Sequence, residues 1–114
     1  MFCFFLFVFS ASGQEGNVVL RDSNYIFRSL KEAKEFPDQV YRLNLSKSRL
    51  DTFPADILLF HNLRELDLSK NRLDSIPNEI GQLINLRRLN LANNKLDSLP
   101  DGIGQLTNLI YLGL

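Results

Sequence analysis

The sequence predicts an α/β solenoid: short coils stacked on one another, with parallel strands on a concave face and short helices or 3-10 turns on a convex face. Three observations predict it. A block of eleven residues returns every 23 residues, its first half alternates apolar and polar side chains, and the stretch after it carries apolar residues at helical offsets. The blocks are Val40-Tyr41-Arg42-Leu43-Asn44-Leu45-Ser46-Lys47-Ser48-Arg49-Leu50, then Leu63 to Leu73, then Leu86 to Leu96. Leu109-Ile110-Tyr111-Leu112-Gly113-Leu114 opens another block, where the chain ends. The predicted organisation is a leader over 1–13, a linker and helical cap over 14–39, and repeats over 40–62, 63–85, 86–108 and 109–114.

Each element follows from side-chain chemistry. In Arg42-Leu43-Asn44-Leu45-Ser46 the leucines share one side of an extended chain and the polar residues share the other. The same alternation returns at Glu65 to Ser69 and at Arg88 to Ala92. In the return half, Ile76, Ile80 and Leu83 sit at helical offsets, Pro77 suits a first turn, and Gly81 suits a left-handed helix end. One such coil leaves apolar faces open on both sides, so coils stack and their strands run parallel about 4.8 Å apart. Ahead of the repeats, Ser29-Leu30-Lys31-Glu32 reads as a capping box, Lys31 and Glu35 as an i,i+4 pair, and Pro37 as the stop after Phe36. A helix there would cover the apolar end of the first coil.

The pattern L-x-x-L-x-L-x-x-N-x-L resembles the leucine-rich-repeat family over Val40 to Leu114, about two-thirds of the chain. The lead-in Ser29 to Leu45 is similar to that of bacterial secreted or surface members. The resemblance implies that Asn71 and Asn94, at the N of the motif, lie inside the coil and hydrogen-bond backbone groups of adjacent turns. They are read as a structural ladder. Ser48 stands where the first block would carry Asn.

Composition narrows the function. The 114 residues suit one domain, and Lys plus Arg equals Asp plus Glu at 13 each, so no overall field draws nucleic acid or an anionic membrane. The apolar run Met1 to Phe9, followed by Ser10-Ala11-Ser12-Gly13, matches a signal-peptide core and a small-residue cleavage site after Gly13. It is too short to span a bilayer. It lacks a basic residue ahead of it, so an internal start codon or a hydrophobic tail without targeting value are the alternatives. Cys3 lies within it, leaving the mature chain no disulfide or cysteine metal site.

No catalytic set emerges. His61 is the only histidine and falls in the turn before a strand, and Gly102-Ile103-Gly104 lacks the Lys-Ser/Thr of a phosphate loop. Asp51, Asp74 and Asp97 recur in phase, which raises calcium, but one carboxylate per coil favours local turns. No enzyme activity, metal or cofactor is expected. The candidate site is the outward side of the strands: Arg42, Asn44, Glu65, Asp67, Arg88, Asn90 and Tyr111 as partner-binding residues, with Ser46, Ser69, Ala92 and Gly113 beside them. Mixed charge argues for a protein partner of unknown identity. Asn78 and Gln82 stand for the opposite, convex side. Asn44-Leu45-Ser46 also forms a glycosylation sequon.

Four strands of some five residues give a face of only a few hundred Å², against about 800 Å² per partner for a stable interface. With the chain ending inside a repeat, the expectation is a piece of a longer array. The expected role is a protein–protein interaction module, secreted or in the cell envelope. The alternatives are a cytoplasmic signalling scaffold for a small GTPase or kinase, which the L-x-x-[IL]-P-x-x-I-G-x-L phrasing resembles, or the targeting module of an enzyme.

Overall fold

A computed structural model describes residues 22–114 together with two short strands, β1 (Phe7–Val8) and β2 (Val18–Val19), which pair antiparallel. The expected leader and its cleavage site otherwise lie outside the described residues, as do residues 14–17, 20 and 21 of the segment that follows.

The remaining strands are β3 (Ile26–Phe27), β4 (Arg42–Asn44), β5 (Glu65–Asp67), β6 (Arg88–Asn90) and β7 (Tyr111–Gly113). They form one five-stranded parallel sheet in chain order. The register steps by one repeat: Arg42 pairs with Glu65, Glu65 with Arg88 and Arg88 with Tyr111. Chain order in a parallel sheet requires every connection to cross back behind it. From β4 to β7 the return segments are 3-10 turns at Ala55–Leu59, Asn78–Gln82 and Asp101–Gln105, and between β3 and β4 the chain returns through a short helix and a 3-10 turn at Pro37–Gln39.

The tighter turn has a visible cause. Each return from β4 onward follows a proline, Pro54, Pro77 or Pro100, with φ of −70°, −69° and −72°. The amides of Ile80 and Leu83 then donate to the carbonyls of Pro77 and Ile80, three residues back. Five residues suffice to cross the coil, so no longer helix forms. Gly81 does not end a helix in a left-handed conformation, as the sequence suggested. It lies where a turn meets the next one: a Cβ there would collide with the Gln105 side chain and come within 2.8 Å of the Gly102 carbonyl.

The core is a set of columns at the repeat period. Leu43, Leu66 and Leu89 are the inward strand centres, followed by Leu45, Leu68 and Leu91. Val40, Leu63 and Leu86 form a further column, and Phe60 occupies the place of Leu83 in the next coil. All are buried, and each side chain packed this way contributes roughly 1.5–3 kcal/mol.

The N-terminal end departs from the expected helical cap. Helix α1 (Leu30–Ala33) is a single turn, with the Ser29 hydroxyl accepting from the Glu32 amide at 3.3 Å. It stops at Ala33 instead of Phe36, because Pro37 keeps Phe36 out of the α region, at φ −135° and ψ 56°. Glu35 is then off the helix, out of step for the pair with Lys31, and the Glu32 carboxylate accepts from the Tyr25 hydroxyl at 3.1 Å. What meets the first repeat is strand β3, which the sequence reading missed, and an aromatic group upon it. Phe27 is fully buried, Tyr25 meets its ring edge-on at 4.8 Å, and Phe36 packs alongside.

Candidate functional site

The seven partner-binding candidates and Gly113 lie on the sheet face, in two rows, whereas Ser46, Ser69 and Ala92 fall past the strand ends and Ser69 is buried, its hydroxyl turned onto Asp67. The first row is Arg42, Glu65, Arg88 and Tyr111; the second is Asn44, Asp67, Asn90 and Gly113. Arg42, Asn44, Glu65, Asp67, Arg88, Asn90 and Tyr111 line one open groove of about 570 Å³, with Ile26 at its upstream end.

The first row is held by pairwise contacts between adjacent strands. Arg42 Nε donates to Glu65 Oε1 at 3.2 Å, and its Nη1 reaches the Asn24 carbonyl at 3.3 Å. Both side chains of the pair are about a third exposed, so solvent screens it and its contribution to stability is small. The Arg88 guanidinium lies over the Tyr111 ring, 4.5 Å from its centroid. The hydroxyl of Tyr111 sits 2.9 Å from where a Cβ on Gly113 would stand. A side chain there would displace the hydroxyl end of Tyr111 and the Asn90 amide.

The second row has a different job. Asn44 Oδ1 accepts from the Ser46 amide and hydroxyl, at 3.0 and 2.7 Å. Asp67 Oδ1 does the same with Ser69, at 2.9 and 2.6 Å, and Asn90 Oδ1 accepts from the Ala92 amide at 3.1 Å. Side-chain-to-backbone turns of this kind close the end of each strand. They occur here, while Asp51, Asp74 and Asp97 stand exposed beyond the strands. In the sequon, the Asn44 side chain is committed to Ser46 inside the groove. Among the described residues no group of three His, Cys, Asp or Glu is placed to hold a metal ion. No helix among them is long and apolar enough to cross a membrane.

Below the face, Asn71 and Asn94 tie coils together. Asn71 Oδ1 accepts from the amides of Ser48 and Leu50, at 2.9 and 3.0 Å. Its Nδ2 donates to the carbonyls of Leu45, Leu68 and Ser69. Asn94 Oδ1 accepts from Leu73, and its Nδ2 donates to Leu68, Leu91 and Ala92. Asn78 is exposed on the convex side, as expected, and carries structure as well: its Oδ1 accepts from the Gly102 amide of the next coil at 2.6 Å.

Two features escaped the sequence reading. A second asparagine ladder stands just before the strands, where Asn62, Asn85 and Asn108 Nδ2 donate to the carbonyls of Asp38, His61 and Ile84 at 2.8–2.9 Å. The signal was present in the recurring Asn-Leu at 62–63, 85–86 and 108–109. The other is a flank row beside the face, Tyr41, Arg64, Arg87 and Ile110, whose members are joined by amides donating to the preceding carbonyl at 2.7–2.8 Å. There Arg64 lies over the Tyr41 ring at 5.0 Å.

Comparison with known proteins places this geometry. The family described as leucine rich repeat matches residues 38–96 and, overlapping, 61–114. Among solved structures, the chain is similar to the leucine-rich-repeat ectodomain of the receptor kinase SOBIR1 from Arabidopsis thaliana. The identity is 26%, the TM-score 0.55, and the match covers 99% of this chain and 77% of that one. A leucine-rich-repeat protein of Leptospira interrogans is 31% identical over 80% of this chain, with a TM-score of 0.41. The chain spans only 35% of the length of that protein. No curated protein matches the chain significantly.

Proposed function

The chain belongs to the leucine-rich-repeat family, and on that premise we propose that its sheet face binds a protein partner, in a protein exported from the cell or displayed on its surface. Domains of this family generally mediate protein–protein interaction and are typically not enzymes. The observation that carries the reading is the Arg88–Tyr111 stack. An arginine and a tyrosine, the side-chain types that most often dominate interface energy, stand on adjacent strands with the arginine held in place by the ring. Arg42 and Glu65 complete the row with groups of both signs, which suits a mixed protein surface more than a polyanion. Export is supported by the apolar leader-like run at the N-terminus and by the similarity to a receptor ectodomain.

The test compares two faces. The double variant R88A/Y111A should weaken partner binding at least tenfold, about 1.4 kcal/mol, with an unchanged urea midpoint. Glu79→Ala with Gln82→Ala, exposed on the convex side, should leave the affinity within about twofold. Loss of binding with the convex pair and not with the sheet pair would put the functional face on the other side. A second reading, a cytoplasmic scaffold, is favoured by the phrasing Leu73-Asp74-Ser75-Ile76-Pro77-Asn78-Glu79-Ile80-Gly81-Gln82-Leu83. Mass analysis of the native protein separates the two: a mature N-terminus at Gln14 supports export, and an intact leader retained in the cytosol supports the scaffold.

A further inference from the structure

We propose that the flank beside the sheet, centred on Arg64 and Arg87, binds an acidic peptide segment of the protein partner. The proposal rests on the sheet-face reading for the existence of a partner and adds the chemistry that partner presents.

Charge order sets the flank apart from the sheet face. In the row across the sheet face, Glu65 stands between Arg42 and Arg88, so adjacent strands alternate in sign. In the flank row, Arg64 and Arg87 are consecutive, bracketed by Tyr41 and Ile110, and no carboxylate intervenes. Like charges on neighbouring rungs about 4.8 Å apart repel. The chain has equal numbers of acidic and basic residues, so this is a local concentration and not a consequence of overall charge. A hollow of about 240 Å³ gathers the side chains of Arg42, Arg64, Arg87 and Arg88 around the single carboxylate of Glu65. Glu65 is already paired with Arg42, so the positive charge of the other three is left over.

The arginines are also presented in a form that suits carboxylates. The guanidinium carbons of Arg64 and Arg88 each sit over a tyrosine ring, 5.0 and 4.5 Å from its centroid. A ring contact uses no N–H donor, so these side chains are held in place with donors left for bidentate bonds to a carboxylate. The backbone beneath is braced by Asn85 and Asn108, whose amides bind the preceding coils. Arg64, Arg87 and Arg88 are all exposed, so binding need not displace an existing core contact. Ile110, 78% exposed, and Tyr111, 41% exposed, adjoin the arginines and offer an apolar seat. An acidic segment with interspersed apolar residues matches both parts. A bare polyanion such as a nucleic acid or sulfated glycan would use the arginines and leave Ile110 idle.

The full chain can be titrated into a fluorescently labelled peptide of repeated Glu-Glu-Leu triplets, read by anisotropy. Binding should weaken with added salt and should be lost with the Gln-Gln-Leu counterpart. Arg64→Ala with Arg87→Ala should weaken it at least tenfold, and Ile110→Ser about threefold. Arg72→Ala with Lys95→Ala removes the same charge from exposed positions beyond the strands and should change it less than twofold. No binding by the unaltered chain, equal loss in the two charge pairs, or tighter binding of a heparin oligosaccharide that ignores Ile110→Ser would each overturn the proposal. Loss of partner binding in R88A/Y111A with peptide binding untouched by R64A/R87A would sink the flank inference alone. The reverse pattern would sink the sheet-face reading alone.

Discussion

Replacing Asn71 with alanine should cost about 3 kcal/mol, twice or more what the same change costs at Asn94, although both occupy the same place in the repeat. The difference comes from what each side chain satisfies. Asn71 is only 8% exposed, and its Oδ1 is the acceptor for two backbone amides, those of Ser48 and Leu50. Asn94 Oδ1 serves one, that of Leu73, and the side chain is less buried. A buried amide left without an acceptor costs roughly 1–3 kcal/mol. These amides are part-buried, so about 1.5 kcal/mol apiece is the appropriate scale. The carbonyl side of the ledger is smaller, because the Leu68 carbonyl still accepts from Asn94 and that of Ser69 from the Lys47 amide. Asn71→Asp should be worse than alanine, since a carboxylate would face the carbonyls of Leu45, Leu68 and Ser69 at the positions the amide now fills. Urea denaturation followed by far-ultraviolet circular dichroism gives the midpoints, and a constant slope keeps them comparable. Equal midpoints for Asn71→Ala and Asn94→Ala, or a loss below about 0.5 kcal/mol at Asn71, would refute the amide accounting.

Two glycines two residues apart should behave oppositely. Gly102→Ala drives a Cβ into the Asn78 carbonyl and should destabilise by about 1–3 kcal/mol, while Gly104, with nothing within 4 Å of a new Cβ, should accept alanine with no loss in thermal midpoint. Lys70 holds φ 58° at the position where the next coil has Asn93 at φ 59°. Lys70→Asn should therefore stabilise by about 0.5–1 kcal/mol in urea melts, since asparagine tolerates the left-handed region better than lysine. A neutral or lower midpoint would mean that the lysine stem contributes packing.

The repeat, the strand phase and the membership of both outward rows were legible in the sequence because a parallel solenoid maps sequence period directly onto space. A residue and its counterpart 23 positions on become neighbours, so Arg42, Glu65, Arg88 and Tyr111 can be aligned on paper before they are aligned in a sheet. That mapping fails wherever the period fails. Strand β3 lies 16 residues ahead of β4, out of frame, and at two residues it carries no alternation to detect. The helix ahead of the repeats shrank to one turn because the influence of Pro37 on Phe36 outweighs a good capping sequence.

What the tertiary structure alone decided is how side chains spend their polar atoms and their space. Periodicity says that Asn44, Asp67 and Asn90 point outward, but only geometry shows their oxygens turned back onto the backbone two residues on. It places Gly81 on the outer half of its coil, but only the packed stack shows that the neighbouring turn leaves no room for a Cβ. It makes Tyr41 and Arg64 neighbours, and Arg88 and Tyr111 likewise, yet whether a long side chain extends to water or folds onto a ring depends on the space around it. The sequence specified which residues meet because the repeat fixes backbone register. Only the folded chain specified what they do on meeting, because hydrogen-bond direction and excluded volume are properties of three-dimensional neighbours.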